Sequence, residues 1–351
     1  MIAIPDRDPA IRGSEHAAPV GGKTPSAGVA VNGAVNEAVN GAVNEAVNEA
    51  VIGGEVRIGA LHIGATAVAL VAAALGTDFD SGAATMLSCT AILLLGLPHG
   101  ALDMVGLLGA RSRTRAIASY LALAGAMAAL WWVMPGAALL LFFAVAIGHF
   151  GEDWPGPGLI AHGGALALLA APLLFHRAKI DALFAIIAGP GAIPPLANSL
   201  LLVAPVAIAA GLTGCALLWS AGRRMLAASS AAALAGMVLL PPLVGFALSF
   251  GLFHSPRQFA RGLAELGAKA GPGGRAWRFP VAAASAASLL LVLVIAWLGA
   301  PEVSVPALSA GVLRGTFVVL SVLTVPHMMM PLVLRMAGRN VAERGAAERG
   351  G

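Results

Sequence analysis

Ala91–Gly109 reads AILLLGLPHGALDMVGLLG. The run is long and apolar enough to sit in a bilayer, yet its centre holds Pro98, His99 and Asp103. On a helix, positions i and i+4 share a face, so His99 and Asp103 point the same way one turn apart. Ionisable groups at membrane depth are costly and turn toward a bundle interior or a polar cavity. This segment therefore predicts a buried helix that carries a polar site, and equally admits a histidine satisfied by its own carboxylate.

Three further segments repeat the pattern. AVAIGHFGEDW (144–154) places His149 and Asp153 at i and i+4, with Glu152 between them. FGLFHSPRQF (250–259) places His254 and Gln258 at the same spacing. LTVPHMMMP (323–331) carries His327 directly after Pro326. One histidine in an apolar span is unremarkable. Four of them in four separate spans point to a shared purpose. Neutral imidazole is the commonest protein metal ligand, and helical bundles build metal sites from side chains on facing helices.

Composition sets the class. The 351 residues are 58% hydrophobic and 11% charged, with a mean hydropathy of +0.86. A soluble domain carries roughly 25% charge. The expected fold is all-α: a polytopic transmembrane bundle of about eight to ten helices, since apolar runs broken by Gly and Pro do not alternate as barrel strands would. The formal charge of +4 comes without a basic cluster interleaved with aromatics, which excludes a nucleic-acid face. Cys89 and Cys215 each lie in an apolar span and read as free thiols.

Residues 1–55 form a different region. Val31–Val51 is a four-residue repeat built on VNGA and VNEA, too polar and too poor in helix formers to build a core, so a disordered tail is expected. The first residues, MIAIPDRDPAIRG, lack the apolar core of a signal peptide. Residues 56–338 are expected to form the transmembrane domain, and 339–351 a cytoplasmic tail. Spans are expected near 57–76, 82–108, 116–134, 136–153, 158–175, 196–221, 226–240, 242–262, 281–299 and 310–336, with a short re-entrant or interfacial helix at 181–189. Pro241-Pro242 marks either a hairpin or a kink within one helix. Arginine and lysine cluster at 111–115, 223–224, 269–278 and 335–344, which fits a multi-pass protein of the inner membrane with both termini cytoplasmic. In that arrangement the four histidines occupy like-directed spans at similar depth.

The set PHGALD, GHFGED, FHSPRQ and PHM, in that order, resembles the Brp/Blh family of membrane β-carotene 15,15′-dioxygenases. The resemblance covers about 80–340. It implies a non-haem Fe(2+) held by histidines, activation of O2, and cleavage of the central double bond of a carotenoid to give retinal, with a functional link to a rhodopsin. The implied metal ligands are His99, His149 and His254, with Gln258 or His327 as the fourth. The family pattern has histidine where this chain has Gln258. Gln258 keeps the one-turn geometry, and His327 is expected beside the site.

Asp103 and Asp153 are expected to take the free N–H of a ligating imidazole, which fixes its tautomer and orientation. Phe150, Phe253 and Met328 are expected to wall an apolar channel for the substrate. His62, in the first span, is a spare ligand or a helix-end histidine at the interface. His162 and His176 read as interfacial. A di-iron desaturase is excluded, because no two histidines fall within five residues of each other. A non-catalytic carotenoid-binding protein or transporter of the same fold is the alternative reading.

Overall fold

The computed structural model describes residues 53–103, 107, 113–154, 156–190, 193–270, 278–299 and 305–347. Most of the expected N-terminal tail lies outside the described residues. The described parts of all ten expected spans fall on helices, and the described residues contain no strand. The helices are α1 (Gly53–Ala74), α2 (Gly82–Ala101), α3 (Arg113–Val133), α4 (Pro135–Gly151), α5 (Gly158–Phe175) and α6 (Arg177–Ala188). They continue with α7 (Ile193–Ser220), α8 (Arg224–Leu239), α9 (Pro242–Leu248), α10 (Ser255–Ala270), α11 (Arg278–Gly299) and α12 (Val305–Ala347). A six-residue π-helical segment, Ser249–His254, joins α9 to α10.

Six of these helices are long and apolar enough to cross a membrane: α1, α2, α3, α5, and the apolar stretches of α7 and α12. α4, α8 and the apolar part of α11 are shorter than the roughly 20 residues a full crossing needs. The chain is a multi-pass membrane protein.

Local chemistry sets the helix starts. The Ser81 hydroxyl accepts from the Ala84 N–H at 3.2 Å and caps α2. Pro135 opens α4 where its missing N–H costs nothing. Packing then depends on small residues, because lipid supplies no hydrophobic drive between helices. α5 and α7 share the most extensive helix contact. A Cβ on Gly163 would come within 2.5 Å of the Ala210 Cβ, so the two backbones meet because that side chain is absent.

The break at Leu240-Pro241-Pro242 is a hairpin, not a kink. A Cβ on Gly245 would sit 2.7 Å from the Gly236 carbonyl oxygen, and the Arg257 side chain returns to Ser229 on α8. Those contacts require α9 and α10 to run back along α8. The expected short helix at 181–189 is α6, twelve residues long, with Ile180, Phe184 and Ile187 buried against the core. α12 packs on α2, α3, α4 and α11, while α2 also meets α9 and α10. The bundle thus places α2 and α12 at its centre, and both carry a Pro-His pair.

Candidate metal centre

The four histidines come from α2, α4, the π-helical segment and α12, and they meet. Ring centroids lie 5.8 Å apart for His99 and His149, 4.6 Å for His149 and His254, and 5.1 Å for His149 and His327. His99 is 5.3 Å from His254 and 5.8 Å from His327. One nitrogen from each of His99, His149 and His327 lies within 4.8 Å of those from the other two. His149 and His254 are almost fully buried, and His99 is buried at 9% exposure.

The hydrogen bonds decide which nitrogen each ring presents. An ionised carboxylate only accepts, so the imidazole beside it must carry the proton on the facing nitrogen. His254 donates through Nδ1 to Asp153 Oδ2 at 2.5 Å, and His327 donates through Nδ1 to Asp103 Oδ2 at 2.7 Å. His99 reaches the same state by another route. The Ser255 hydroxyl spends its hydrogen on the Leu95 carbonyl at 2.5 Å, so its oxygen accepts from His99 Nδ1 at 3.0 Å. In the neutral form of all three rings Nε2 keeps its lone pair. His254 Nε2 and both nitrogens of His149 are buried without a hydrogen-bond partner. Buried polar atoms are normally satisfied, so this group of imidazole nitrogens has the chemistry of a metal-binding donor set.

The backbone explains how His254 gets there. The Ser255 N–H bonds the Phe250 carbonyl five residues back, and the next residue, Pro256, has no N–H to give. The helix widens by one residue at this point. Such π-helical insertions re-aim side chains and concentrate at functional sites.

Asp103 and Asp153 both hold a histidine, but Asp103 serves His327 on α12 and not its own helix neighbour His99. Asp153 Oδ1 also accepts from Arg261 Nη2 at 3.1 Å and from Gln258 Nε2 at 3.4 Å. Gln258 directs its amide NH2 onto Asp153 and Glu152. Glu152 is half exposed, 3.9 Å from His149 Nδ1. Sequence reading missed Ser255 and Arg261. The HSPR run was visible, but nothing in it says that the serine faces α2.

Two apolar cavities border the centre and share no lining residue. One, of about 60 Å³, is walled by Phe142, Phe143, Phe150, Phe184, Phe246 and Phe317 among others. It shares Phe150, Met237 and Phe246 with a smaller space of about 10 Å³ that His254 also lines. The other cavity, of about 100 Å³, is lined by His99, His327, Tyr120, Leu97, Leu320 and Thr324. Phe150 walls the first, with its ring 4.5 Å from that of His254. Phe253 and Met328 line none of the three. Phe253 is fully buried beneath Arg257, and Met328 is half-buried on α12. Phe150 thus lines the first cavity together with other phenylalanines of α4, α6, α9 and α12.

Residues 90–335, well over half of the chain, match the profile of the family described as Beta-carotene 15,15'-dioxygenase. The chain belongs to that family. A protein described as Beta-carotene 15,15'-dioxygenase from uncultured marine bacterium 66A03 is 30% identical over 198 residues, 48% of this chain and 66% of the relative. The chain thus spans just under two thirds of that relative's length. No solved structure matches it. All four clustered histidines of this β-carotene dioxygenase family member lie inside the matched region, as do both carboxylates that orient them.

His62 lies outside that region and away from the cluster. It is neither a helix-end nor an interfacial residue: it is fully buried, with Nδ1 3.0 Å from the Ser229 hydroxyl. Its place is explained by α1 packing a polar face onto Ser229 of α8, which sequence spacing does not reveal. His162 is exposed and bonds the Gly158 carbonyl, and His176 ends α5 against the Val238 carbonyl.

Proposed function

We propose that this protein is a non-haem iron dioxygenase that cleaves a carotenoid such as β-carotene at its central double bond, giving retinal. The observation that carries this reading is a buried group of imidazoles, with Nε2 lone pairs bare, bordered by two separate apolar cavities. His99, His149 and His327 would hold the ion, and His254, whose Nε2 lies bare beside them, would complete the set. Bound ferrous iron would supply the activation of O2.

The protein's own side chains supply the rest. Asp103, Asp153 and Ser255 lock three ring tautomers and orientations. Phe150 and Phe250 crowd His254 and keep water from it; the Phe250 ring stacks on that imidazole at 5.6 Å. A carotenoid is a rigid apolar rod that partitions into lipid, so an enzyme acting on its middle belongs within the roughly 30 Å hydrocarbon core. Two cavities meeting at one centre suit a long molecule cut at its middle, with one half in each. The arginine and lysine clusters at the span ends support a plasma-membrane protein with both termini cytoplasmic.

The test is pigment analysis of cells that make β-carotene, with and without this chain. Retinal should form with the wild type and not with His149→Ala. Intact β-carotene and no retinal, at normal expression, would refute the enzymatic reading and leave a carotenoid-binding role.

A further inference from the structure

Behind the metal centre lies a second buried polar group that the proposed reaction does not use. Arg257 is only 4% exposed. Its guanidinium sits 3.8 Å over the Phe253 ring, and Nη1 donates to the Phe253 carbonyl at 3.0 Å. Nη2 donates to the Ser229 hydroxyl at 3.2 Å, and Ser229 in turn bonds His62 Nδ1 at 3.0 Å. The His62 ring packs against Phe253 at 5.5 Å. No carboxylate among the described residues forms an ion pair with Arg257. A buried cation in that position is tolerated only where hydrogen bonds fix it.

Phe253 is the residue before His254, and its carbonyl belongs to the π-helical segment. Widening the helix there, next to Pro256, loosens the ordinary backbone ladder. The Arg257 side chain reaches back to that carbonyl. Three helices thus meet around Arg257 and Phe253: α1 through His62, α8 through Ser229 and α10 through Arg257.

We infer that His62 is a positioning residue for the metal centre. Acting through Ser229 and Arg257, it holds the π-helical segment so that His254 Nε2 faces the other imidazoles. α1 lies outside the matched family region yet completes the site. This rests on the metal reading above, and the test separates the two.

The full-length protein in detergent is titrated with Co(II), whose d–d absorption reports ligand geometry. His62→Phe keeps a ring against Phe253 and removes the hydrogen bond. His62→Asn keeps a hydrogen-bonding group near the Nδ1 position. A group bonded directly to a ligand typically changes affinity about 10–100-fold, so one acting a layer further out should change it about 3–10-fold. We expect that loss, with shifted d–d bands, for His62→Phe and His62→Ala, and near-complete rescue by His62→Asn. His162→Ala, at an exposed histidine, should match wild type.

Hydrogen exchange across 249–258, measured without metal, provides a second readout, and it should quicken in His62→Phe. Unchanged affinity and spectrum in His62→Phe, even with a lowered melting temperature, would overturn the inference. If the wild type binds no Co(II), the metal reading fails and the positioning role for the metal centre falls with it, while the exchange result still decides whether His62 holds 249–258 in place: unchanged protection refutes that hold and faster exchange supports it.

Discussion

Asp153→Asn tests the metal centre most sharply, because the carboxylate uses both oxygens. Oδ2 accepts from His254 Nδ1 at 2.5 Å, while Oδ1 accepts from Arg261 and Gln258 at 3.1 and 3.4 Å. Asparagine offers one oxygen and one NH2. With its oxygen toward His254, the NH2 faces two donors; flipped, it meets the His254 N–H. Neither orientation satisfies the site. A hydrogen bond to a charged group contributes about 1.5–3 kcal/mol, and the Asp153 side chain is 1% exposed, so that arm keeps its full value. The Arg261 arm is 43% exposed and adds only about 0–1 kcal/mol. The two arms together span about 1.5–4 kcal/mol. At about 1.4 kcal/mol per tenfold, metal affinity should fall about 10–700-fold. Competition against a chelator of known affinity, normalised to folded protein, measures it. Affinity within twofold of wild type would show that Asp153 does not orient a metal-binding imidazole.

Asp103→Asn should lower metal affinity about 10–100-fold through His327, read by the same competition assay. His327→Ala should remove most bound iron, whereas Gln258→His should leave iron content unchanged, because residue 258 points at Glu152 and Asp153; elemental analysis of both purified variants decides it. Leu183→Trp should fill the phenylalanine-walled cavity, cutting retinal output while iron content stays constant. Gly96→Ala should destabilise the protein by about 1–3 kcal/mol, since its Cβ would fall 2.1 Å from the Phe250 ring, and thermal unfolding in detergent would show it.

Hydropathy, the i/i+4 spacing of His99 with Asp103 and His149 with Asp153, and four histidines in four apolar spans were enough to read an all-helical membrane bundle with a histidine centre. Those features are local or periodic, and a helix imposes its 3.6-residue geometry wherever it forms. The partners were not legible. Asp103 follows His99 by one helical turn, yet the ring it holds is that of His327, which α12 brings across as it packs on α2. Gln258 shares the right helical turn, yet the π-helical segment ends at His254 and the amide turns onto carboxylates. Ser255 fixes the His99 tautomer only because α2 and α10 touch. His62 looked like an interfacial residue until Ser229 and Arg257 closed around it. Which residues are histidine, and roughly how deep they lie, follows from composition and period. Which nitrogen each presents depends on contacts between residues more than a hundred positions apart, and those exist only once the helices have packed.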